Sequence, residues 1–126
     1  MVRIFVDDER ECPKGFLCAR TYEEATELLL KHREDIEFLT LDCVLGGGQS
    51  GYDIIEFMEN NKIFPPIVNC HTSTNRGVMG RFAKDCLPKS TITTYAMDSL
   101  FTLVVKDILE EGMVYQPKDV GKNQCL

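Results

Sequence analysis

Leu39-Thr40-Leu41-Asp42, followed by Gly46-Gly47-Gly48, is an apolar run that ends in a carboxylate and opens into a glycine loop. Val2-Arg3-Ile4-Phe5-Val6-Asp7-Asp8-Glu9 has the same form. Short, continuous, β-branched runs of this kind read as strands buried on both faces. If the two runs are neighbouring parallel strands, Asp7, Asp8 and Asp42 meet at one edge of a sheet. Carboxylates that close repel one another, and a hard divalent cation is the usual remedy.

Outward from these two strands the chain alternates. Val2 to Val6 is the first strand, and Pro13 and Gly15 mark the loop after it. Phe16 to Ala19 reads as a short second strand. Thr21 is an N-cap with Glu24 three residues on, and the helix runs from about Tyr22 to His32, burying Ala25, Leu28 and Leu29. Ile36 to Leu41 is the next strand. Tyr52 to Asn60 is a helix, Ile67 to Cys70 a strand, Gly77 to Cys86 a helix and Thr91 to Tyr95 a strand. A last helix is expected over about Ser99 to Glu111, stopped by Gly112. This order predicts a parallel sheet covered on both faces, with ligands beyond the carboxyl ends of its strands. One domain over residues 1–112 and a polar tail over 113–126 are expected.

The 126 residues suffice for a single core, with 44% apolar and 27% charged residues. The net charge of −6 argues against bulk binding to nucleic-acid phosphates, though not against a single nucleotide held through a metal. No apolar run is long enough to cross a bilayer, and Met1-Val2-Arg3-Ile4 leads straight into a core strand rather than a signal peptide. A cytoplasmic location is expected. The six cysteines contain no CxxC pair, so free thiols in a reducing compartment are expected rather than disulfides or zinc.

The acidic trio fits Mg²⁺, which needs only one or two direct carboxylates because it keeps several waters. Asp8 and Asp42 are the expected direct ligands, with Asp7 acting through water and a carbonyl near Val44 as a further donor. His71 follows a central strand beside this pocket and can transfer a proton near neutral pH. Thr72 or Ser73 can donate a hydroxyl to a phosphoryl oxygen. The glycine loop could offer backbone N–H groups to an anion or simply connect; no Gly-Lys-Ser/Thr follows it, so it is not a P-loop. His32 lies late in an exposed helix and reads as solvated.

Acids at the first strand's end, an aspartate at the end of the next long strand and hydroxyls at the following one resemble the receiver domain of two-component signalling, over roughly Val2 to Glu111. The resemblance implies a flavodoxin-like three-layer sandwich around a five-stranded parallel sheet. It also implies Mg²⁺ at Asp7, Asp8 and Asp42, with Asp42 as phosphoryl acceptor. Two departures stand out. Thr93-Thr94-Tyr95-Ala96-Met97 lacks the lysine that receivers carry at the last strand's end, and Lys89 lies before that strand. The segment after Asp8 is also short, so the first helix is shortened or missing. The chain is more similar to the cyclic-phosphate processing receiver-like family. Asp7-Asp8-Glu9-Arg10, Leu39 to Gly46, Gly51-Tyr52-Asp53 and His71-Thr72-Ser73-Thr74-Asn75 carry that likeness. It implies action on cyclic phosphates of nucleotides or RNA ends by a Mg²⁺-dependent phosphohydrolase. Asp42, His71 and Thr72 would be catalytic there, and Asn75 would help Thr72 orient the substrate. The other reading is a phosphoacceptor, or a degenerate receiver, that meets a phosphodonor and a protein partner.

Overall fold

The computed structural model describes residues 1–73 and 75–96 of the chain. The elements are β1 (Val2–Val6), β2 (Leu17–Ala19), α1 (Tyr22–Lys31), β3 (Ile36–Leu41), α2 (Gly51–Asn61), β4 (Ile67–Cys70), α3 (Arg76–Cys86) and β5 (Thr91–Thr93). The strands form one five-stranded sheet in the order β2-β1-β3-β4-β5. Every pairing is parallel. This is the flavodoxin-like order, whose switch point lies between β1 and β3. The loop from Asp7 to Phe16 joins β1 to β2 directly, so the first helix of a complete receiver is missing, as expected. The expected last helix and the boundary at residue 112 lie outside the described residues.

Strand alternation sorts the sheet into two unlike faces. Ile4, Val6, Leu39, Leu41, Val68 and Cys70 join one apolar cluster with Ala25 and Leu29 of α1, Ile54, Ile55 and Met58 of α2, and Met79 and Ala83 of α3. The intervening residues face the other way. Phe5 and Phe38 are buried there, each edge-on to Phe16, at 6.5 Å and 6.0 Å between centroids. Beside them lies a polar row in which Phe5 pairs with Thr40, Thr40 with Asn69, and Asn69 with Thr93.

The helix starts are fixed by short side chains. Thr21 accepts the Glu24 N–H at 3.1 Å, while Glu24 reaches past the cap to the N–H of Arg20 at 2.7 Å. Asp53 accepts the Ser50 N–H at 2.8 Å and so begins α2 one residue earlier than expected. The glycine loop forms a tight turn in which Gly47 and Gly48 take positive φ, at 82° and 85°. β5 ends at Thr93 rather than at Tyr95, because the Tyr95 N–H and C=O are both bonded to the Asn69 side chain.

The cysteines depart from expectation. Cys12 and Cys18 form a disulfide across the loop between β1 and β2, while Cys43, Cys70 and Cys86 remain free. The absence of CxxC spacing could not reveal this bridge, because the loop folds back on itself between Pro13 and Phe16. Burial, with a smaller contribution from Cys43, pushes the Cys70 thiol up to about 12, so it behaves as a small core hydrophobe.

Candidate functional site

The sheet register carries one step past the strand ends. Val6, Leu41 and Cys70 are aligned, the Asp42 N–H donates to Val6 C=O and the His71 N–H to Leu41 C=O, both at 2.9 Å. Asp7, Asp42 and His71 therefore form the next row, on the polar face. Their ligand atoms lie within 4.8 Å of one another, and all three residues are buried. Asp8 has the opposite alternation. Among the described residues it does not join this group, so the pairing that brings carboxylates together is Asp7 with Asp42.

Asp7 is saturated with donors. Its Oδ1 accepts the N–H groups of Glu9 and Arg10, each at 2.9 Å. Its Oδ2 accepts from Arg10 Nη1 at 2.8 Å and from His71 Nε2 at 2.9 Å. Burial pushes the Asp7 carboxyl upward, but the bonds from His71, the two backbone N–H groups and the Arg10 guanidinium outweigh it. They hold the group well below the usual carboxylate range. The same Arg10 nitrogen lies 3.4 Å from Asp42 Oδ2 and so bridges the two acids. Arg20 ties the loop down by donating to the Asp7 carbonyl at 3.0 Å and to the Arg10 carbonyl.

Asp42 is the contrasting partner. Its Oδ1 accepts the Cys43 N–H at 2.8 Å, and Oδ2 has only the long contact to Arg10. Burial and the neighbouring Asp7 charge raise its carboxyl above the ordinary value, against the pull of Cys43 N–H, His71 and Arg10. Gly51 lets α2 approach this strand end. A Cβ there would collide with the Asp42 carbonyl and with Met79.

Behind His71 the polar row fixes a proton arrangement. Asn69 is oriented by backbone, since Oδ1 accepts the Tyr95 N–H at 2.8 Å and Nδ2 donates to Tyr95 C=O at 2.9 Å. The second Nδ2 hydrogen goes to Thr40 Oγ1 at 3.0 Å, and Thr93 Oγ1 donates to Asn69 Oδ1 at 2.7 Å. Thr40 has then accepted once and turns its own proton to His71 Nδ1 at 2.7 Å. In the neutral ring Nδ1 is thus the acceptor, and Nε2 carries the hydrogen offered to Asp7. Phe5 stacks on the imidazole with centroids 5.0 Å apart and holds its plane.

Thr72 is buried next in the chain, and its carbonyl accepts from Arg76 Nη1 at 3.0 Å. Sequence reasoning placed Asp7, Asp8, Asp42 and His71 to Ser73 at one rim, with Asp8 and Asp42 as the direct metal ligands; the structure brings Asp7, Asp42 and His71 together and, among the described residues, leaves Asp8 out of that group. Sequence reasoning missed Arg10, Thr40 and Asn69 as parts of the constellation. The available signal was a polar residue inside each of two buried apolar strands, Thr40 and Asn69.

Mg²⁺ can be tested against this donor set. Asp7 has no oxygen lone pair left over, whereas Asp42 has one carboxylate oxygen with a single long contact. The residues therefore fit an ion held directly by one carboxylate, with Arg10 competing for the same charge.

Among solved structures, a phosphorylated cyanobacterial phytochrome response regulator, RcpA, superposes with a TM-score of 0.56. The match covers 90% of this chain and 96% of that one at 13% sequence identity, which speaks to fold alone. No curated protein matches the sequence. The family model described as cyclic-phosphate processing receiver domain matches residues 2–80, more than half of the chain, and the protein belongs to that family.

Proposed function

We propose that this receiver domain hydrolyses cyclic phosphates of nucleotides or RNA ends at the rim formed by Asp7, Asp42, His71 and Thr72. The observation that carries the proposal is the pairing of two buried carboxylates in opposite states. Asp7 is locked as an anion by four donors, while Asp42 keeps an under-bonded oxygen and a raised affinity for a proton. Groups pushed apart in this way divide into structural and reacting partners.

In this reading water adds to phosphorus, one P–O bond to the ribose breaks, and the freed ribose oxygen takes up a proton. Asp42 accepts the proton of the attacking water and returns it to the freed ribose oxygen. Arg10, drawn forward by both acids, faces the phosphate oxygens, and Thr72 orients them. His71 acts through Asp7, whose position it fixes. Mg²⁺ would be held directly by Asp42, beside the fully bonded Asp7 anion, and it would neutralise charge on the phosphate.

Purified protein with Mg²⁺ is to be incubated with 2′,3′-cyclic and linear phosphates and followed by phosphorus NMR. Conversion of cyclic to monoester by the wild type, lost in Asp42→Asn, is expected. No turnover on any cyclic substrate would end the proposal. The under-bonded Asp42 oxygen also favours a second reading, a phosphoacceptor that signals to a protein partner. Added phosphoryl mass after treatment with acetyl phosphate and Mg²⁺ would support that one.

A further inference from the structure

Arg76 is the first residue of α3 and only 7% exposed. Its Nη1 donates to Thr72 C=O, yet its Nε–H has no hydrogen-bond partner. Among the described residues no carboxylate pairs with it. A buried guanidinium without a counter-charge is expensive to maintain. Its surroundings add to the positive field. The first N–H groups of an α-helix have no intrahelical acceptor, and Asn75 caps α3 without a side-chain hydrogen bond.

The placement matters as much as the charge. The Thr72 carbonyl it holds is one residue beyond His71, so Arg76 is anchored to the strand end that contacts Asp7. Gly80 lies one turn further along the same buried stripe of α3. A Cβ on it would meet Thr94 Cγ2 at 2.7 Å, so this stripe lies against the segment that follows β5. That segment is Thr94-Tyr95-Ala96, which offers no cation of its own.

We propose that Arg76 and the N-terminal N–H groups of α3 form a phosphate-binding site at the β4 end of the rim, supplying the positive charge that the β5 end lacks. The unpaired Nε–H and a neighbouring Nη–H make the two-pronged fork that two phosphate oxygens accept. The N–H groups at the helix terminus donate to a third oxygen. This assignment rests on the phosphate-handling reading of the rim and names the residue that grips the anion.

Inorganic phosphate is the probe, titrated calorimetrically without Mg²⁺ into the full chain in chloride buffer. Wild type is expected to bind, Arg76→Gln at least tenfold more weakly, and Arg76→Lys in between, because lysine keeps the charge and loses the fork. Arg76→Gln is expected to melt no lower than wild type in phosphate-free buffer, since it removes an unpaired buried charge. Should Arg76→Gln not fold, the Arg76→Lys titration decides. Equal phosphate affinity in wild type and the variants, or no binding by the wild type at millimolar phosphate, would overturn the assignment. Cyclic-phosphate turnover on the same samples separates the two ideas. Phosphate binding through Arg76 without turnover removes the hydrolase and leaves this site standing. Turnover that is indifferent to Arg76, in both KM and phosphate affinity, removes this site and leaves the hydrolase.

Discussion

Asn69 is the hub on which the proton arrangement behind His71 depends, and replacing it with leucine tests that arrangement directly. The side chain is fully buried and makes four hydrogen bonds. Leucine has similar volume and makes none. The Tyr95 N–H and C=O lose their Asn69 partners at that point, at about 1–3 kcal/mol each for a buried group. The Thr40 and Thr93 hydroxyls can rotate towards other acceptors and cost less. Added apolar burial returns about 1–2 kcal/mol. The balance is a loss of about 3 kcal/mol, a large share of the 5–15 kcal/mol typical of a domain. At about 4 °C per kcal/mol, the melting temperature falls by about 12 °C. Urea unfolding gives the free energy, and nitrogen-15 NMR of the imidazole reports which ring nitrogen is protonated. The Nε2–H form is expected in wild type, with a mixed population in Asn69→Leu, because Thr40 is then free to accept from Nδ1. A loss below about 1 kcal/mol with the tautomer unchanged would refute the reasoning. So would a Thr93→Val variant, which removes one bond only, costing as much as Asn69→Leu.

Three further outcomes follow from the same geometry. The Asp42 carboxyl is raised, so its ionised form costs stability above its folded pKa and the cost fades as pH falls through it. Metal-free Asp42→Asn should therefore unfold at higher urea than wild type at pH 7, lose that advantage in mild acid, and show no Mg²⁺ response in a thermal melt. Arg10→Met removes the bridge between the acids. It should cost about 2 kcal/mol without metal, yet gain more melting temperature from added Mg²⁺ than wild type does, if Arg10 competes with the ion. Gly51→Ala drives a methyl group into the Asp42 carbonyl and should cost about 1–3 kcal/mol by urea unfolding, with reduced Mg²⁺ response because the strand end shifts.

Much of the architecture was legible because the buried strands carry few polar residues and the helices carry clear starts. Val2 to Val6, Ile36 to Leu41 and Ile67 to Cys70 read as buried parallel strands, and the structure places them at those residues. The missing first helix was legible from Pro13 and Gly15 in a segment too short to hold one. The set of acids within reach of one another was less legible. The sequence reading made Asp8 the direct partner of Asp42 and gave Asp7 a role through water, but the two-residue period of a strand turns Asp7 rather than Asp8 towards Asp42. The disulfide was hidden for a different reason. Its six-residue separation matches no common motif, and only the return of the loop brings Cys12 beside Cys18. Arg10 carries part of the family likeness but no site role in the sequence reading, because a cation four residues past the end of β1 has no reason, in sequence, to fold back over it. The backbone N–H groups of Glu9 and Arg10 bend the chain around Asp7 Oδ1 and carry the guanidinium with them.

That bend explains why the two central acids diverge although both end buried strands. A carboxylate followed by a tight turn collects the turn's own N–H groups, and Asp7 receives two of them before any side chain arrives. Asp42 is followed instead by a bend at Cys43 and a loop in which Val44 bridges to Ser50 and the Gly51 N–H donates to Cys43 C=O, so the following N–H groups are not gathered onto its carboxylate. One N–H reaches Asp42, from its immediate neighbour. The first acid is therefore neutralised locally, and the second depends on whatever cation or proton the rim provides. In the proposed reading such a rim holds a phosphate more tightly when a further positive charge lies close to it. Among the described residues Arg76, bonded to the Thr72 carbonyl next to His71, is a buried cation without a carboxylate partner, and the proposed anion site would complement the asymmetry of the two acids.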